Sequence, residues 1–461
     1  MRKGISLFTV AMINVAAIMS LKNLPVQSEY GLSFIFYLLI ACIGFFIPTA
    51  LVSAELSTGW PKTGGVYVWV KEGLGEKWGF MAIWLQWIEN VIWYPTMLAF
   101  TAGTLAYIIS PDLAHNKAFT LSVILISFWG LTFLNFLGMK ASGWISSFGV
   151  IAGTILPGAL IIALGIGWVM GGNPLELQFT FENLIPDFSH LNSSVLLVGI
   201  LLGLAGMELS AVHAGDVVNP QRDYPRAMVI SVIIIIILSL LGSLAIGIVV
   251  PVSQLSLVAG VMEAFAIFFQ AYHLEWITPI MAALIVVGAL SMISTWIIGP
   301  SKGLMVTAHQ GDLPPFFQKV NKEKMPIVLL YFQAVLVTVL SLVFLFMPTV
   351  SSSYWILTAL TAQLYLVMYL LMFIAAIVLR YKKPNVQRAY QIPGGKKWGM
   401  WIVAGIGILS SLFSIGIGFI PPPQLSIGSL LFYELFLGLG MVLMCAFPWV
   451  VELFKTKKWI R

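Results

Sequence analysis

Twelve apolar stretches, each about 20 residues or longer, follow one another along the chain between polar or Pro/Gly breaks. No other feature constrains the fold as strongly. They run over 5–24, 32–57, 77–110, 119–138, 145–170, 194–214, 226–250, 274–309, 326–348, 351–381, 398–420 and 428–454. A hydrocarbon core about 30 Å thick takes roughly 20 apolar residues as a helix. In lipid each backbone N–H and C=O must also be bonded internally, which a helix does by itself. The pattern therefore predicts an all-α integral membrane protein with twelve transmembrane helices. Composition agrees, because residues of the AVILMFWYC set make up 59% of the chain and charged residues 9%. A soluble protein carries about 25% charged residues. With a mean hydropathy of +0.97, a water-soluble enzyme, a collagen and a disordered chain are all excluded. Segment 260–272 is apolar but too short to cross and is expected as a surface helix in a loop. Segment 60–72, with Pro61, Gly64 and Gly65, reads as a turn or short re-entrant piece.

The basic residues orient the spans. With both termini in the cytoplasm, all but two of the 24 Lys and Arg fall on the cytoplasmic side. The exceptions are Lys22 and Lys117. Loop 171–193, with Glu176, Glu182 and Asp187 and no Lys or Arg, then faces outward. A wrong helix count would scramble this asymmetry. The net charge of +6 thus reports topology, and nucleic acid is not an expected partner. Met1-Arg2-Lys3 before an apolar stretch has the look of a signal peptide. No small-residue cleavage site follows, and Lys22-Asn23 interrupts the stretch, so it is expected to stay in the mature protein. Cys42 and Cys445 each sit in an apolar run and offer neither a disulfide framework nor zinc spacing.

The first and sixth runs each carry a polar knot. In the first it is Met19-Ser20-Leu21-Lys22-Asn23 before Pro25; in the sixth it is Gly203 to Ser210, with Glu208 inside it. Five spans is an odd number, so the two runs enter the membrane from opposite sides. The topology fits two inverted five-helix halves, each opening with a broken helix, over residues 1–170 and 194–381. Residues 171–193 form the external loop between them, and 398–461 hold helices 11 and 12 and a short cytoplasmic tail. Broken helices at matching places are the best sequence pointer to a secondary transporter's binding site.

Several motifs sharpen this reading. Pro61-Lys62-Thr63-Gly64-Gly65-Val66-Tyr67 resembles the P-x-x-G-G-x-Y signature of amino acid–polyamine–organocation transporters. Gly206-Met207-Glu208, with Asn219-Pro220 through Pro225-Arg226-Ala227, is similar to the same superfamily's G-x-E…N-P-x-x-x-x-P-x-A pattern. Ser294-Thr295-Trp296 to Gly303 and Ile392-Pro393-Gly394-Gly395 most resemble the bacterial glutamate:γ-aminobutyrate antiporter group. The resemblance covers nearly the whole chain and implies a LeuT-like fold of five plus five helices. Two departures stand out. Antiporters of that group end in a long cytoplasmic tail that plugs the path, whereas this sequence stops about seven residues after the last run, so no plug is expected. Met292 also stands where they have an acidic residue.

The resemblance and the broken helices together nominate the site. A substrate carboxylate is expected at freed N–H groups around Ala17, Ile18, Met19 and Ser20, and its amine at freed carbonyls around Gly203, Leu204, Ala205 and Gly206. Trp296, Tyr365 and Tyr369 match positions where the superfamily presents aromatic rings to substrate or gates. Tyr365 and Tyr369 share a helix face at i, i+4. Intramembrane acids are costly and usually line pathways. Glu208 is open to two roles, a structural partner of the unwound backbone or a gate or proton-linked group. Glu89, beside Asn90, is open to contact with a substrate ammonium, to carrying a coupling proton, to pairing with Lys22, or to serving as interhelical glue. Lys22 reads as a residue snorkelling near the outer end of the first helix. Glu55 and His213 lie near cytoplasmic helix ends, where structural roles are expected.

No nucleophile–base pair, phosphate loop or metal-ligand spacing is present, so neither enzyme activity nor a cofactor or metal is expected. The sequence reads as an amino acid transporter of the bacterial inner membrane working by alternating access as an exchanger. A proton-coupled importer is the alternative, and a non-transporting sensor on the same fold is the alternative of a different class. The expected partners are amino acids or amines, protons and the lipid bilayer.

Overall fold

The computed structural model describes residues 6–61, 64–137, 149, 151–186, 194–209, 220–395, 398–455 and 459. The chain begins with α1 (Leu7–Ile18) and α2 (Asn23–Ser28), continues as α3 (Gly31–Gly59), α4 (Val66–Leu74), α5 (Glu76–Ile109), α6 (Lys117–Asn135) and α7 (Ile151–Met170), and reaches α8 (Leu197–Leu204). Then come α9 (Pro220–Gly247), α10 (Gly260–Ala271), α11 (Thr278–His309), α12 (Ile327–Phe346), α13 (Val350–Lys382), α14 (Trp398–Ile417) and α15 (Leu430–Phe454). Among the described residues ten helices are long and apolar enough to cross a membrane: α3, α5, α6, α7, α9 and α11 to α15. The first and sixth runs, where the sequence shows its polar knots, are the two that stop short. Lys62, Thr63, residues 145–148, 187–193, His213 and Asn219, all named above, lie outside the described residues.

Burial sorts the helices. The apolar window of α13 is 78% buried inside the protein and that of α15 only 11%, so α13 is central and α15 presents its apolar surface outward. The long helix α5 packs against both α11 and α13, while α1 and α2 lie along α9. Polar pairs stitch that second group. Asn14 Nδ2 donates to Ser231 Oγ at 3.2 Å, Ser243 Oγ to Gln27 Oε1 at 2.7 Å and Ser28 Oγ to the Ser243 carbonyl at 2.7 Å. With no water in the hydrocarbon, buried hydroxyls and amides find partners across helices.

Three elements differ from the sequence expectation. Segment 66–74 is a helix, α4, with Trp69 and Val70 fully buried. Gly64 and Gly65, at φ +132° and +47°, make the turn that precedes it. The helix at 260–271 has Val261, Met262, Phe265 and Phe268 buried, so one face is packed inward instead of lying on the surface. Finally, α9 is already helical at Pro220, six residues before the apolar run.

Candidate functional site

The two interrupted helices meet. α1 ends at Ile18, Ser20 to Lys22 stand between α1 and α2, and α8 stops where Ala205 turns extended at ψ 152°. Gly206 follows at φ +119°, a conformation that excludes most side chains, and this breaks the sixth run. A Cβ at Gly203 would come within 3.1 Å of the Asn23 side chain, so the two breaks lie directly against each other. Among the described residues the main-chain N–H groups of Ser20, Leu21 and Lys22 donate no main-chain hydrogen bond.

A cavity of about 50 Å³ opens between the breaks. Of the expected site residues, Ala17, Ile18, Ser20, Glu89, Ala205, Trp296 and Tyr365 line it. Asn23, Asn90, Trp93, Leu202 and Met292 complete the lining. Ligand pockets are commonly about 300–1,000 Å³, so the cavity is closed down to room for a few waters. Met19, Gly203, Leu204, Gly206, Glu208 and Tyr369 stand outside the lining. Met19 instead lies against Ser239 on α9, and Leu204 is fully buried.

Glu208 anchors the layer behind the cavity. Tyr365 donates to its Oε1 and Tyr369 to its Oε2, each at 2.5 Å, and Gln86 Nε2 donates to Oε1 at 3.2 Å. The Tyr369 hydroxyl in turn accepts from Gly206 N at 2.7 Å. The carboxylate, buried to 2% exposure, therefore ties α5 and α13 to the break in the sixth run. Phe45 packs edge-on against Tyr369 at 4.9 Å, from the wide π-helical turn Cys42–Phe46 in α3. Such turns cluster at functional sites.

Glu89 sits on α5, one turn before Trp93, and its Oε1 accepts from Asn90 Nδ2 at 2.5 Å. Lys22 does not reach out of the protein as a snorkelling side chain would. It is 1% exposed, with its Nζ 5.7 Å from the Trp93 ring centre and 5.2 Å from that of Tyr354. The reason is that the helix break turns Lys22 inward, where two aromatic faces replace water around the ammonium. Glu89 is the charge that acts on Lys22, but among the described residues no ion pair within 4.0 Å joins them. The sequence reading passed over Trp93. Its signal was the i, i+4 spacing from Glu89.

A second buried cluster fastens α3 to the end of α13. Glu55 accepts from Arg380 Nε at 2.6 Å and Nη2 at 2.5 Å and from Ile392 N at 2.9 Å, and Arg388 Nε lies 3.4 Å away. The structural role expected of Glu55 matches this geometry. Beside α4, Tyr67 donates to Gln310, while Lys71 pairs with Glu76 at 2.9 Å and Lys455 with Asp312 at 2.8 Å. Burial pushes the Asp312 carboxyl up from its ordinary value, against the opposing pull of Lys455.

The amino acid permease family model matches residues 5–443. The chain belongs to this family. It is 34% identical to the glutamate/gamma-aminobutyrate antiporter of Lactococcus lactis strain IL1403, over 98% of this chain and 90% of that one. An uncharacterised transporter of Legionella pneumophila is 48% identical over 97% of this chain and 96% of its own length. A probable agmatine/putrescine antiporter of Lactococcus lactis is 23% identical over 85% of this chain and 83% of that one. The superfamily resemblance carried by the Gly64-Gly65 and Gly206-Met207-Glu208 motifs is thereby established. This family member is a multi-pass membrane transporter, and two of these relatives are named for glutamate and gamma-aminobutyrate and for agmatine and putrescine.

Proposed function

We propose that this permease is an amino acid exchanger of the bacterial inner membrane, with both termini cytoplasmic, working by alternating access. Its twelve spans form two inverted repeats, residues 1–170 and 194–381, joined by the external loop 171–193 and followed by two further helices and a tail in 398–461. The observation that carries the reading is the meeting of two broken helices at one closed cavity, with Asn23 against Gly203. Unpaired N–H groups of Ser20 and Leu21 suit a substrate carboxylate, and the carbonyl end of α8 suits its amine. Glu89, Trp93 and Trp296 line the same cavity and are assigned the remainder of the substrate. Trp296 and Tyr365 close over it, and Glu208 with Tyr369 holds the break in shape as a gate. Exchange is favoured by the relatives, several of which are named antiporters.

Reconstitution in liposomes tests this. Labelled amino acids and amines should be taken up only when the lumen holds a countersubstrate. Uptake into empty liposomes driven by a proton gradient would replace exchange with proton-coupled import. That second reading is favoured by Glu89, a buried carboxylate without an ion pair in the cavity wall.

A further inference from the structure

The seam between α2 and α10 carries chemistry that the central cavity does not use. α10 lies so close across α2 that a Cβ at Gly260 would sit 3.0 Å from Pro25 Cβ. Two carboxylates lie there, Glu29 buried and Glu263 half-buried. Glu29 follows directly after α2, is 9% exposed, and its Oε2 has no hydrogen-bond partner. Glu263 stands in the first turn of α10 and accepts from Ser256 N at 3.1 Å through Oε2.

The groups that surround the pair supply no positive charge. Tyr30 lies beside Glu29 with Tyr37 packed against the Tyr30 ring, and Tyr107 at the end of α5 lies beside Glu263. α7 has no titratable residue, and those of α9 and α11 fall in the halves remote from α10's start. Tyr272, His273 and Glu275 follow the other end of α10. Among the described residues no Lys, Arg or His lies within 4.0 Å of either carboxylate. Burial pushes both carboxyls up to about 7, and the charge of Glu263 adds to the effect on Glu29. An orphaned carboxylate oxygen away from water is satisfied most cheaply by a proton.

We propose that Glu29 and Glu263 form a proton-binding site on the external side that latches α2 to α10, so that external pH gates exchange. The proposal rests on the orientation and transport function given above. α2 is the outer half of the first broken helix, and its Asn23 lines the cavity. Ionising both carboxylates places two negative charges at one seam, with no Lys, Arg or His within 4.0 Å among the described residues. Repulsion is relieved when α2 leaves α10, which opens the cavity outward. A bound proton holds the seam shut.

Two measurements separate this site from the function it rests on. In cells or oriented vesicles at fixed internal pH, wild-type exchange should rise several-fold as external pH goes from about 6 to about 8. The double variant Glu29→Gln/Glu263→Gln should be flat, and Glu263→Gln alone should shift the midpoint toward acid. In detergent micelles neither orientation nor transport enters. Both carboxyls hold protons in the folded state above their ordinary value of 4.5. Thermal stability should therefore fall as pH rises from about 4.5 through about 7 and then level off, and the double variant should lose that drop. Identical melting profiles for wild type and double variant would overturn the site. A stability drop present in micelles, with exchange indifferent to external pH, would overturn the gating. Wild-type protein that exchanges nothing would overturn the function above and leave the micelle result to decide the site.

Discussion

The Tyr369 hydroxyl donates to Glu208 Oε2 at 2.5 Å while accepting from Gly206 N at 2.7 Å. One phenol thus joins a buried carboxylate to the residue whose positive φ breaks the sixth run. Removing it orphans two groups at once, each costing about 1–3 kcal/mol when buried. Tyr369→Phe should therefore reduce both stability and exchange more than Tyr365→Phe, which orphans one hydrogen bond on an oxygen that Gln86 also serves. Melting in detergent and counterflow rates check the order. Equal effects would mean that Gly206 does not depend on the phenol.

Glu89→Gln keeps the side-chain shape and the bond with Asn90. No ion pair holds Glu89 to Lys22 within 4.0 Å, so the variant should express and melt as wild type does. At fixed external pH its exchange should continue but no longer respond to internal pH, while the response to external pH set by Glu29 and Glu263 persists. Selective weakening of cationic substrates would instead assign Glu89 to the substrate amine. Poor expression rescued by Lys22→Met would assign it to Lys22.

The Glu55 cluster should behave very differently from a surface pair. Glu55→Gln leaves Arg380 and Arg388, 6% and 8% exposed, without their carboxylate. Breaking a buried pair in this way costs about 3–5 kcal/mol, a loss that unfolding in detergent reads directly. Lys77→Ala removes an exposed pair with Glu452 at 3.6 Å and should change stability by less than about 1 kcal/mol.

Orientation is testable by labelling. In a background with Cys42 and Cys445 replaced by Ala, Gln178→Cys should react with an impermeant thiol reagent added outside, and Lys322→Cys should not. Both positions are exposed. The reverse pattern would invert the topology.

The amino-acid sequence alone determined the membrane class, the positions of the long helices and the location of the two breaks. Those properties follow from local chain chemistry: apolar length, glycine and proline placement, and the bias of Lys and Arg. The Gly64-Gly65 and Gly206 motifs were legible because each demands a backbone conformation that few other residues adopt. What lies behind the cavity was not legible, because it depends on residues far apart in the chain. Glu208 meets Tyr365, Tyr369 and Gln86 only when the sixth run, α13 and α5 converge. Lys22 shows the limit most clearly. By sequence it is a long cation near a helix end, a place where such residues ordinarily reach water. Only the packing of Trp93 and Tyr354 around the break decides that its ammonium is enclosed. Residue type sets what a side chain needs, and the convergence of distant helices decides which partner meets that need.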